Sequence, residues 1–146
     1  MNVAVLGETK PGETRVALIP STVRELAKIG CDVTVASGAG LGSHFADEEY
    51  KEAGATVVAD AAAAMQGAEI VVKVQPPTDE EIEGLPNGVV LVSLLSPLTE
   101  PELVSRLGKA GVTAFALELI PRITRAQSMD VLSSQATVAG YKAVLM

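Results

Sequence analysis

Six short apolar runs constrain this chain more than any other feature. Residues 2–6, 32–36, 56–58, 69–74, 89–95 and 112–119 are each three to eight residues long and rich in Val, Ala, Leu and Ile. The first, ended by Gly7, reads as a strand buried on both faces, the condition of a parallel sheet. Helical signals separate the runs. Thr22 and Glu25 fit a capping box for a helix that stops at Gly30, and Asp60 caps an alanine-rich helix through Gln66. Residues 47–53, 79–83 and 97–110 read as further helical pieces, and a last helix starts at Met129. Strand and helix therefore alternate throughout. This predicts a doubly wound parallel α/β sheet, Rossmann-like or flavodoxin-like, in one domain of residues 1–146.

Charge narrows the partners. Acidic residues outnumber basic ones 18 to 11 and no lysine or arginine cluster occurs, which argues against nucleic acid and anionic membrane surfaces. No apolar stretch approaches the ~20 residues of a membrane helix. The opening residues already read as a strand, with no basic region before them, so no signal peptide is expected. Cys31 is the only cysteine, which rules out an internal disulfide, suits a reducing cytoplasm and predicts a small buried hydrophobe. The last helix carries Leu132, Ala136, Ala139, Ala143 and Val144 at helical spacing and reaches Met146 without a cap. That pattern predicts the N-terminal piece of a longer protein, cut inside a connecting helix.

Three candidate sites are weak. The turn SGAGLGS has Gly38, Gly40 and Gly42 in GxGxG spacing, with no acid at the right distance for dinucleotide binding, so a structural turn is expected. Arg15 and Lys73 follow the first and fourth strands, where together they would hold a carboxylate, or else stand as a solvated arginine and a snorkelling lysine. His44 is the only histidine and has no metal-ligand neighbours, so no metal is expected and a loop role is.

The strong candidate is PRITRAQSMDVLSS, residues 121–134, a polar loop after the sixth strand. Ligands of open α/β sheets bind outside the carboxyl ends of strands. Thr124 and Gln127 fit a capping box, which would make Gln127 a mere helix cap. Yet Arg122 and Arg125 sit where a helix dipole disfavours cations, and such local violations mark functional sites. Asp130 is placed to pair with one of the arginines.

This loop, with the opening GETKPGETRVALIPSTVRELAKIG, the strand IVVKVQPP and the segment LVSLLSPLTEPEL, resembles the alpha subunit (NAD-binding component, domain I) of proton-translocating NAD(P) transhydrogenases. The likeness covers the whole chain and lies within the alanine dehydrogenase/transhydrogenase N-terminal domain family. It implies a first subdomain lacking its NAD-binding Rossmann half, and therefore inactive alone. It further implies hydride transfer between NAD(H) and NADP(H), with NADP(H) on a partner component and proton translocation in a membrane component. By matching positions, Arg122, Gln127 and Asp130 are the catalytic loop residues, and Arg122, Ile123, Thr124, Gln127, Asp130 and Ser133 face NAD(H). Arg122 and Ser133 would contact nicotinamide-side groups, Gln127 would place the ring, and Asp130 would order the arginine. A homodimer, peripheral to the inner membrane on its cytoplasmic side, is implied for the complete protein. The competing resemblance is to alanine dehydrogenase, whose pyruvate carboxylate would meet Arg15 and Lys73. That enzyme needs a histidine where this chain has Leu94-Leu95-Ser96-Pro97. A non-catalytic interaction domain is the third alternative.

Overall fold

Residues Thr56–Val58, Asp32–Ala36, Asn2–Val5, Ile70–Val72, Val90–Ser93 and Thr113–Ala116 lie side by side in that order in one sheet, which explains where a ligand can sit in this protein. The computed structural model describes residues 1–146. Its strands are β1 (Asn2–Val5), β2 (Asp32–Ala36), β3 (Thr56–Val58), β4 (Ile70–Val72), β5 (Val90–Ser93) and β6 (Thr113–Ala116). All five pairings are parallel, with Val3 opposite Val33 on one side of β1 and opposite Ile70 on the other. The parallel expectation is met, and the order selects the Rossmann arrangement over the flavodoxin one. The chain winds outward from β1 to β3, then returns to β4 beside β1. That reversal opens a crevice at the carboxyl ends of β1 and β4.

Helices α1 (Pro20–Lys28), α2 (Asp47–Glu52), α3 (Ala61–Met65), α4 (Asp79–Gly84), α5 (Pro101–Lys109) and α6 (Val131–Leu145) complete the fold. Right-handed crossovers place outward and return helices on opposite faces of the sheet. Two cores result. One holds Val3, Val5, Val33 and Val35 with Val23 of α1 and Tyr50 of α2, and includes buried Cys31. The other holds Ala4, Leu6, Val71 and Leu91 with Met65, Ile82, Leu103 and Leu107. Each fully buried Val or Leu contributes roughly 1.5–3 kcal/mol. Tyr50 donates its hydroxyl to the Leu18 carbonyl at 2.9 Å, and burial pushes its pKa up to about 12.

Several boundaries differ from expectation, each for a local reason. Helix α1 starts at Pro20, whose fixed φ sets the first turn, so Thr22 lies inside it and forms no capping box with Glu25. Glu25 instead pairs with Lys28 at 2.7 Å. Its C-terminus behaves as expected: the Gly30 and Cys31 amides donate to Ala27 and Leu26 carbonyls, a Schellman closure with Gly30 at φ +83°. Helix α5 starts at Pro101 rather than at 97, because Thr99 and Glu100 turn back onto the Ser96 carbonyl first. Strand β6 ends at Ala116 and continues as a 3₁₀ turn, Leu117–Leu119.

The last helix departs most from expectation. Residues Thr124–Met129 form a 3₁₀ helix, and α6 begins at Val131 with Asp130 as its N-cap. The capping box of Thr124 and Gln127 is absent, so Gln127 does not cap α6. Helix α6 buries none of its residues despite its apolar composition; Val138, Tyr141 and Val144 are exposed.

Candidate functional site at the sheet switch point

A crevice of about 670 Å³ opens at the switch point. Its floor is Val72, Val74, Val92 and Leu94, at the ends of β4 and β5. One wall is the segment 15–19 after β1, and the other is Val131, Leu132 and Gln135 of α6. The loop 121–134 thus starts at the sheet edge and delivers α6 back over the centre of the sheet. Both sequence-derived site regions, Arg15 with Lys73 and the loop, border one place.

Neither cation is free there. Arg15 donates from Nε and Nη2 to Glu13 at 2.8 and 2.6 Å, the two-pronged geometry that suits a guanidinium and a carboxylate. Glu13 also accepts from Gln75 Nε2 at 2.7 Å, and Arg15 chiefly, with Gln75 adding, holds its pKa down at about 2. Glu8 accepts the Val74 and Gln75 amides at 2.6 and 3.0 Å, tying the loop after β1 to the end of β4. Lys73 is wholly buried and donates to both Glu81 oxygens at 2.8 and 2.7 Å. Glu81 doubles as the capping-box partner of Thr78 at the start of α4. The structure brings Arg15 and Lys73 to one crevice and gives each a partner within the chain. Each is neutralised by a carboxylate of its own chain, and Lys73 neither snorkels nor reaches solvent.

The loop is built differently. Ala126 is its one buried residue, while Arg122, Ile123, Thr124, Arg125 and Gln127 are exposed around it. Asp130 accepts from the Ser133 amide at 3.0 Å and the Ser133 hydroxyl at 2.6 Å, and these bonds lower its pKa. The expected pairing of Asp130 with an arginine is not formed. Arg122 adds the smallest contribution, an electrostatic one, after the Ser133 hydrogen bonds. Arg122 and Arg125 join no ion pair.

Two further side chains, missed in the sequence, make long-range contacts on either side of the loop. Glu118 Oε1 accepts the Leu95 amide at 2.9 Å and the Ser96 amide, holding the turn after β5 with Ser96 at φ +49°. Its Oε2 is buried with no hydrogen-bond partner. Gln135 Oε1 accepts from Arg15 Nη1 at 3.3 Å. No short-range pattern signals either contact. The glycine turn is structural, as expected: a Cβ on Gly42 would lie 2.9 Å from the Thr14 carbonyl oxygen. His44 is an exposed loop residue at φ 64°.

This geometry defines a class: a doubly wound α/β domain with a self-neutralised crevice at its switch point, walled on one side by the helix that follows an exposed polar loop. Residues 4–139 match the family described as alanine dehydrogenase/PNT, N-terminal domain. The chain belongs to that family. Over 150 residues it is 44% identical to the first of the alpha-subunit polypeptides of the Rhodospirillum rubrum NAD(P) transhydrogenase, covering 99% of this chain and 39% of that protein. The alanine dehydrogenase of Bacillus subtilis is 40% identical over 143 residues, covering 98% of this chain and 37% of the enzyme. A solved transhydrogenase from Sinorhizobium meliloti superimposes with a TM-score of 0.95 at 47% identity, over 99% of this chain and 43% of that one. The chain thus spans less than half the length of these relatives. No helix is long and apolar enough to cross a membrane.

Proposed function

We propose that this domain serves the NAD(H)-handling component of an NAD(P) transhydrogenase, offering loop 121–134 to nicotinamide held by a separate Rossmann domain. One observation carries the reading. Arg122, Arg125, Thr124 and Gln127 are solvent-facing, and the arginines have no ion-pair partner, on a loop that leads into α6 where Val131 and Leu132 line the crevice. Solvated and unpaired, both guanidiniums are available to a ligand. Direct hydride transfer needs two nicotinamides aligned, and no protein acid or base, so an amide, hydroxyls and a guanidinium suffice.

In this reading Arg122 meets nicotinamide-side groups together with Ser133, while Ile123 and Thr124 form the cofactor-facing edge. Gln127 hydrogen-bonds beside the ring and sets it against NADP(H) on the partner component. Asp130 shapes the loop by capping α6 rather than by holding an arginine. The domain supplies one lip of the cleft, so it is inactive alone. Its partners are the Rossmann domain, the NADP-binding and membrane components and a second copy, peripheral to the inner membrane on the cytoplasmic side. Val138, Tyr141 and Val144, exposed on the unburied helix α6, support such contacts.

An alanine dehydrogenase role is disfavoured. Arg15 and Lys73 are engaged by Glu13 and Glu81, and residues 94–97 contain no histidine. The test is a domain exchange in which residues 1–146 replace the matching segment of the Rhodospirillum rubrum subunit. Transfer between NADH and an NADP analogue, within about tenfold of the parent rate, supports the reading. A folded chimera that binds NADH and transfers no hydride overturns it.

A further inference from the structure

We propose that Arg15 is a positioning residue for the loop 121–134, acting through Gln135; its link to hydride transfer rests on the reading above. Beyond Ile120, the Arg15–Gln135 contact is the one hydrogen bond that joins the remaining chain to the body. The other side-chain bonds of that segment stay inside it: Ser133 to Asp130, Ser134 to Val131, Thr137 to Ser133. Apolar contact supplies the rest, through Ala126 and through Val131 and Leu132 at the crevice. Apolar packing is non-directional, so the angular setting of the first turn of α6 falls to this bond.

Arg15 is prepared for that task. Glu13 grips Nε and Nη2 at 2.8 and 2.6 Å, which fixes the plane of the guanidinium and turns Nη1 toward α6. Gln75 holds Glu13 at 2.7 Å, and Glu8 holds the Gln75 amide at 3.0 Å. Ser93, fully buried at the end of β5, donates to the Gln75 carbonyl at 2.9 Å. A continuous chain of hydrogen bonds thus runs from the β5 strand through Gln75, Glu13 and Arg15 to Gln135. Such networks hold their members in one arrangement better than isolated pairs do. Each of the three guanidinium nitrogens already donates once within the chain. Arg15 works as a bracket between the switch point and the helix that ends the loop.

The test uses the 146-residue chain and amide hydrogen exchange. Arg15→Gln should raise exchange at residues 134–138 by about three- to tenfold, the scale of one lost hydrogen bond, and leave the β1 and β4 amides unchanged. Gln135→Leu should give the same rise, and the double variant should add nothing. Gln135→Glu, which puts a carboxylate opposite the guanidinium, should slow exchange there. An Arg15→Gln effect confined to residues 8–19, or additive effects in the double variant, would overturn the proposal. In the domain exchange, Arg15→Gln should lower the transfer rate by about threefold or more with KM for NADH little changed. Coupled exchange together with a Gln127→Asn rate equal to the parent's would remove the nicotinamide reading and leave the bracket in place.

Discussion

The Lys73 ammonium sits 2.7 and 2.8 Å from the two carboxylate oxygens of Glu81, with the lysine side chain closed to solvent. Removing one partner strands a buried charge. Lys73→Met should therefore cost about 3–5 kcal/mol, and Lys73→Met with Glu81→Gln should recover much of it, since the amide still accepts from the Thr78 backbone. Urea unfolding of the three proteins checks this. Because Lys73 is occupied, millimolar pyruvate should leave the Tm of the wild-type chain unchanged.

Acid should act on Glu13. Its pKa falls from 4.5 to about 2 chiefly through Arg15, so its stabilisation is present above pH 4.5 and disappears as pH drops toward 2. Arg15 is partly solvated, which limits the effect to about 1–2 kcal/mol. Unfolding free energies measured from pH 6 to 2.5 should fall less steeply in Glu13→Gln than in the parent chain.

The glycine turn carries packing. Gly42→Ala drives a methyl to within 2.9 Å of the Thr14 carbonyl oxygen, and Gly40→Ala drives one to 2.8 Å from the Phe45 carbonyl oxygen beside the buried Tyr50 ring. Each should destabilise by about 1–3 kcal/mol in thermal unfolding. Hydride transfer in the domain exchange, corrected for the folded fraction, should not change.

Much of the fold is legible along the chain because it depends on neighbours in sequence. The six apolar runs mark the strands, Gly30 marks the end of α1, and Asp60 marks the cap of α3, accepting from Ala63 at 2.8 Å. Failures come where two local signals compete. Thr22 loses to Pro20 at one helix start, and Thr124 loses to Asp130 at another. The site is half legible. A loop of exposed arginines and amides violates local rules and so stands out. Its long-range contacts do not, since Gln135 meets Arg15 across 120 residues and Glu118 meets Leu95 across 23. Lys73 looks like a snorkelling lysine in the sequence because its partner Glu81 lies eight residues on, inside the separate helical piece 79–83.

Asp130 should behave as a cap. Asp130→Ala leaves the Ser133 amide without its acceptor, so the first turn of α6 should fray. Amide exchange at Ser133 and Ser134 should rise about three- to tenfold, while Asp130→Asn, whose side-chain carbonyl still accepts, should stay near the parent value.

The most direct measurement is made in the domain exchange with the Rhodospirillum rubrum subunit, reconstituted with its partner components. Hydride transfer from NADH to an NADP analogue is compared between the parent and Gln127→Asn. The account predicts a loss of about tenfold or more in rate, with NADH affinity and Tm little changed, because one methylene moves the amide away from the ring. A parent-like rate with a lowered Tm would contradict it and reduce Gln127 to a structural residue.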